Sequence, residues 1–296
     1  MEQISNDHLQ VKISQNGAEL KSITGLHTHT EYLWQADPAY WERSSPILFP
    51  IVGSLWQGEA HIDGQAFKLP KHGFVSLAKF LCIEHTETFV KYRFTENKET
   101  LHVFPFPFTL ETSFSLCGNR VEVEWTVLNT GLKPLPFNLG GHPGINYPNF
   151  KAEDEVRGYL SFDTAEPLEC ATVGASGCIA SERYLLPSTN GMTPITDDLF
   201  KVDTVIIDRH QTKSVTLNQM NKKPYVTLCS DAPCSLIWSP YGKKSPFVCL
   251  EPWYGLCDAE NYTGEFADRP YTNVIEPGKS LTVGYSLTMH NEMDEL

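Results

Sequence analysis

Arg120-Val121-Glu122-Val123-Glu124-Trp125-Thr126-Val127-Leu128-Asn129 alternates apolar and polar residues with a period of two. Val121, Val123, Trp125 and Val127 fall on one face, and Glu122, Glu124 and Thr126 on the other. That is the signature of an antiparallel strand with one buried and one solvated side. The buried side is β-branched and aromatic, the types that suit a pleated, half-buried surface. Residues 108–116 alternate in the same way, and Cys117-Gly118-Asn119 between the two runs reads as a hairpin turn.

The pattern continues outward in both directions. Residues 9–13, 18–23, 31–34, 81–85 and 89–94 read as strands on the N-terminal side. Residues 159–162, 202–207, 214–217, 225–230, 235–239, 247–250 and 281–289 do so on the C-terminal side. One short helical turn is expected at Asp197–Phe200, with Thr196 as its N-cap. Twenty glycines and twenty prolines punctuate these runs, without a linker, a low-complexity tract or an internal repeat. The expectation is an all-β fold of many antiparallel strands, forming a single domain over residues 1–296, with a loose acidic tail at 291–296.

Composition narrows the function. A 296-residue chain with 41% hydrophobic residues can bury a large core. A net charge of −13, from 23 basic and 36 acidic side chains, argues against nucleic acid and anionic membrane surfaces as partners. No apolar leader is visible in residues 1–16, and no run approaches the ~18 apolar residues of a membrane span. The eight cysteines (82, 117, 170, 178, 229, 234, 249 and 257) follow no zinc-ligand spacing and read as free thiols of a cytoplasmic protein.

Three polar residues stand in unusual settings. His142 lies in Asn138-Leu139-Gly140-Gly141-His142-Pro143-Gly144-Ile145-Asn146-Tyr147-Pro148, where glycines and prolines can fix a side chain beside bare backbone. His72 lies in Lys71-His72-Gly73-Phe74. Glu251 ends the apolar run Phe247-Val248-Cys249-Leu250 and precedes Pro252-Trp253-Tyr254, a costly place for a carboxylate unless it is paired or functional. Apart from His27 and His29, no close pair at metal-ligand spacing is seen, so neither a metal nor a cofactor is expected.

In order and spacing, these motifs resemble the aldose 1-epimerase (galactose mutarotase) family, especially its LacX-like branch. The resemblance begins at Arg43-Ser44-Ser45-Pro46-Ile47-Leu48-Phe49-Pro50-Ile51-Val52-Gly53. It runs through Lys71-His72-Gly73-Phe74 and Gly140-Gly141-His142-Pro143 to Glu251-Pro252-Trp253-Tyr254-Gly255-Leu256-Cys257-Asp258. It implies a galactose-mutarotase-like β-supersandwich and a small-molecule sugar substrate whose anomers are interconverted without a cofactor. It further implies Glu251 as general base, His142 as general acid, and His72 as a residue that holds the sugar. A neighbouring carboxylate is expected to keep His142 protonated, with donor and acceptor on opposite sides of the C1–O5 unit.

Some positions depart from the family. Ser76 stands where relatives often carry arginine, leaving Arg43 as the main candidate cation over the sugar hydroxyls. Asp203 is the match for a hydroxyl-binding aspartate, with Asp208 as a weaker competitor. Trp41, Trp56, Phe74, Trp253 and Tyr254 offer apolar faces to a sugar ring. Lys243, Lys244 and Arg269 lie in loops near the Glu251 segment and are further cations that could fold over the pocket. The first reading is an epimerase of free aldohexoses. A hexose-6-phosphate 1-epimerase and a non-catalytic sugar-binding protein are the rivals. The sequence leaves the oligomeric state open.

Overall fold

The computed structural model describes residues 1–292. Two large sheets dominate. The first runs in the order Thr193–Pro194, Tyr159–Phe162, Ser214–Asn218, Pro224–Ser230, Ser280–Met289, Arg120–Asn129, Phe108–Cys117, Phe89–Thr95, Leu81–His85. The second runs Ile179–Leu185, Glu169–Val173, Val205–Ile207, Cys234–Trp238, Phe247–Tyr254, Leu139–Gly141, Ile47–Leu48, with Gly144–Asn146 also paired to Phe247–Tyr254. A three-stranded sheet (Glu2–Ser5, Leu9–Ile13, Leu20–Gly25) and two small two-stranded sheets complete the all-β architecture.

The Arg120–Asn129 strand behaves as its alternation requires. It pairs antiparallel with Phe108–Cys117 on one side and Ser280–Met289 on the other. Val121, Val123, Trp125 and Val127 are buried, while Glu124 is exposed. The buried row meets Val248, Leu250 and Tyr254 of the second sheet in one hydrophobic cluster that draws on residues from Ile4 to Met289. The sheets approach closely at Gly141, where an added Cβ would lie 3.1 Å from both the Trp125 and the Tyr285 rings.

Several expectations need correction. Residues 31–34 form only isolated bridges, Thr24 to Glu31 and Leu33 to Ile145. The Glu31 carboxylate accepts the backbone N–H groups of Ile23 and Leu33, and Asn146 donates to the carbonyls of Glu31 and Leu33. These side chains interrupt a backbone pairing that survives only at Tyr32 and Trp34, which donate to Ile23 and Gly144. The strand expected at 202–207 begins only at Val205, because Asp203 adopts a left-handed φ of 74°. Asp197–Phe200 is a 3-10 turn, but Thr196 makes no capping bond through its side chain. An unexpected helix, Lys98–Val103, is held by a reciprocal capping box between Asn97 and Thr100. Of the tail expected to be loose, Asn291 lies in a closing 3-10 turn, His290–Glu292, and residues 293–296 lie outside the described residues.

Trp125 is the largest fully buried side chain, and its indole N–H has no hydrogen-bond partner, so its contribution is packing alone. Trp125→Ala is expected to destabilise the protein by about 3–5 kcal/mol. Urea unfolding of wild type and variant measures this.

Candidate active site

The strand Phe247–Tyr254 is buried along its whole length. Its alternation sends Val248, Leu250 and Tyr254 into the core between the sheets and leaves Phe247, Cys249, Glu251 and Trp253 on the other face. The segment carrying His142 lies antiparallel beside it. Leu139 pairs with Tyr254, Gly140 with Trp253 and, past His142-Pro143, Gly144 with Cys249. The register is therefore unbroken across the dipeptide and sets His142 opposite Glu251. The carbonyl of Pro143 accepts the N–H of Leu250 and holds the pair in place. A Cβ at Gly140 would come within 2.9 Å of the Trp253 ring, so only glycine allows this approach.

His142 Nε2 lies 3.3 Å from Glu251 Oε2, and the Trp253 indole N–H donates to the same oxygen at 3.2 Å. The two groups stand side by side rather than facing each other across a gap. Trp41 stacks on the His142 ring, with centroids 4.7 Å apart, and Trp238 meets it edge-on at 5.6 Å. Lys243 donates to the carbonyls of Ala39 and Tyr40, which steadies the loop bearing Trp41.

Burial governs the electrostatics of the pair. It raises the Glu251 carboxyl well above the usual carboxylate range, opposed by the charge of Lys71 and the Trp253 bond and assisted by Asp203. It also drives His142 well below the ordinary histidine range, helped by His72 and Lys71. Burial thus works against the charge on both groups, whereas the sequence led to the expectation of a protonated His142 beside a carboxylate.

His72 lies edge-on to both His142 and Trp253, with centroids 5.7 Å away in each case. Its backbone N–H donates to the Gly53 carbonyl, and its Nδ1 accepts the Gly53 N–H at 3.1 Å. A ring that accepts at Nδ1 carries its proton at Nε2, so His72 is a neutral donor. Burial, then Lys71, lowers its pKa to about 3.

The other expected residues divide. Asp203 is exposed, and its charge is felt at Glu251. Asp208 is paired with Arg183 and Arg209. Arg43 reaches Glu19 at 3.5 Å and donates to Ser76 at 3.1 Å, so it stands against the position where relatives often carry arginine. Arg269 is buried, bonded to Asp258, Asn138 and the Leu256 carbonyl, and does not fold over the pocket. Tyr254 donates to Gly284 in the core, and Phe74 packs edge-on against Phe49. Trp56 and Lys71 line a neighbouring cavity with Ser54 and Ser176. Two neighbours were missed, Trp238 and Cys249. The period-two pattern could have flagged Cys249, since it shares a face with Glu251. Its Sγ, a His142 ring nitrogen and a Glu251 oxygen all lie within 4.8 Å of one another. The third donor comes from the opposite strand, so linear spacing did not reveal this cluster.

The family model for aldose 1-epimerase matches residues 2–288. The chain belongs to the aldose 1-epimerase family. It is 31% identical to the chromosomal LacX protein of Lactococcus lactis subsp. lactis over 301 residues, covering 98% of this chain and 99% of that relative. Among solved structures, a galactose mutarotase related enzyme from Lactobacillus acidophilus superposes with a TM-score of 0.93 at 33% identity, covering 100% of this chain and 99% of that one. A galactose mutarotase-like protein from Lactobacillus casei gives a TM-score of 0.92 at 28% identity, covering 98% and 100%. Family and fold support carbohydrate epimerase activity. Among the described residues no helix is long and apolar enough to cross a membrane.

The state of His72 is open to direct measurement. Long-range ¹H–¹⁵N NMR is expected to show the Nε2–H tautomer, with no titration until the pH approaches about 3. A midpoint near 6.5 would contradict the assignment. A histidine whose folded pKa is depressed favours folding fully above its unfolded value. That contribution is lost as pH falls from 6.5 towards about 3.

Proposed function

We propose that this protein interconverts the α and β anomers of a free aldohexose by general acid–base ring opening, with Glu251 as base and His142 as acid. The observation that carries this reading is the cross-strand pair itself, a donor and an acceptor 3.3 Å apart in a buried setting. Two such groups can serve the two oxygens on a single anomeric carbon.

The reacting form is the ion pair, reached when the shared proton moves from Glu251 to His142. The Glu251 carboxylate takes the proton of the anomeric hydroxyl. The C1–O5 bond breaks, C1=O1 forms, and His142 delivers its proton to O5. The open aldehyde turns about C1–C2, and O5 attacks the other carbonyl face. O5–H returns its proton to His142, and O1 regains one from Glu251. Charge balances at every stage and no redox partner is needed. The His72 Nε2–H and Asp203 would hold sugar hydroxyls, while Trp41 and Trp253 would bound the ring.

Glu251→Gln keeps the shape and removes the basicity. Turnover is expected to fall by about 10²–10⁴-fold, with sugar affinity largely retained. NMR anomerisation kinetics alongside calorimetric binding measure both, and near-native turnover would remove Glu251 from the role of base.

Substrate charge is the second test. Arg269 is held by Asp258, Arg43 faces Glu19 and Lys243 is tied to the Ala39 and Tyr40 carbonyls, while the charge of Lys71 acts on the acid–base pair and is opposed by Asp203. A phosphate dianion favours a bidentate arginine or a cluster of cations. The expected outcome is a higher kcat/KM for glucose or galactose than for glucose 6-phosphate. The reverse order would overturn the free-sugar assignment.

A further inference from the structure

Cys249 plays no part in the proton transfers above, yet its thiol sits against the groups that perform them. We propose that His142, Glu251 and Cys249 form a site for a thiophilic divalent ion of the zinc or cadmium type, and that such an ion inhibits the enzyme by occupying the acid–base pair. The inhibitory half rests on the catalytic reading of that pair; the binding half does not.

The geometry is close to what such an ion needs. Bond lengths of about 2.0–2.3 Å to nitrogen, oxygen and sulfur put neighbouring donors of a tetrahedral site roughly 3.3–3.6 Å apart. His142 Nε2 and Glu251 Oε2 are already at 3.3 Å, and all three donors lie within 4.8 Å. Side-chain movement of about an ångström would close the set. Two of the ligands are rigidly spaced, since Cys249 and Glu251 share one face of one buried strand. Trp253 orients the carboxylate from outside the set. Three protein ligands leave a fourth position for water.

Charge and softness select the ion. A thiolate, a carboxylate and a neutral imidazole around a divalent cation sum to zero, which suits a buried site that disfavours net charge. Cys249 is fully buried and packs with Trp34 and Phe247, so its shell is apolar. A thiolate donor favours zinc and cadmium over magnesium and calcium. An ion seated on His142 Nε2 and Glu251 Oε2 would occupy the two atoms that exchange protons with the sugar, so it would act as an inhibitor.

The test uses metal-free full-length protein in which the exposed Cys117 and Cys229 are replaced by serine. Titration with cobalt(II) is expected to give a thiolate-to-cobalt charge-transfer band saturating at one equivalent and abolished by zinc. Zinc should also slow anomerisation. Cys249→Ser and Cys249→Ala should lose the band. They should need at least ~10–100-fold more zinc for half-inhibition, each scored against its own metal-free rate after circular dichroism confirms folding. Glu251→Gln should weaken the band without touching the thiol. A band that survives in both Cys249 variants, equal zinc sensitivity with and without the thiol, or no band at all would overturn the site. Should the metal-free protein show no anomerisation, the catalytic reading fails, while the cobalt band still decides whether the ion binds.

Discussion

The antiparallel register between residues 139–146 and the Phe247–Tyr254 strand is the constraint on which the site depends. Slipping it by one residue would send every side chain to the opposite face. His142 would then meet the core instead of Glu251, and Gly140 would no longer be the residue beneath Trp253. Small residues protect the register at both ends. Gly140 passes under the Trp253 ring, and a Cβ at Gly144 would press on Trp34 and Trp41. Beyond the strand, the buried Arg269–Asp258 pair locks the same two segments. Arg269 reaches Asn138, just before the His142 segment, while Asp258 lies just after the Glu251 strand and accepts the N–H of Trp56. Breaking a buried pair of this kind typically costs about 3–5 kcal/mol, so the pairing is anchored at the end where Leu139 meets Tyr254.

Much of the fold was legible because hydrophobic alternation and burial have the same cause. Arg120–Asn129 is a central strand whose inner face must be apolar, and the sequence says so without ambiguity. The misses share a different cause. At residues 31–34 backbone bonds to Ile23, Gly144 and Asn146 alternate with bonds from the Glu31 and Asn146 side chains, so extended residues never join a long ladder. The Lys98–Val103 helix is too short for a 3.6-residue period to show. Only the Asn97 and Thr100 capping pair marked it in the sequence.

The candidate site was partly legible. His142, His72 and Glu251 stood out through their settings and through a resemblance that the family match supports. What linear reading missed is the effect of burying two ionisable groups together. In water, carboxylate and imidazole favour the ion pair, whereas here desolvation favours the neutral form. Likewise Cys249 looked like one more core thiol, because its neighbours come from across the sheet.

Three of the six tryptophans, Trp41, Trp238 and Trp253, surround the two histidines at ring distances between 4.7 and 5.7 Å. Trp41 is stacked on His142 itself and lies on a loop tethered by Lys243. Protonated imidazole quenches indole emission by contact, and neutral imidazole does so far less. The protein therefore carries its own optical gauge, in which the brightness of Trp41 follows where the shared proton resides.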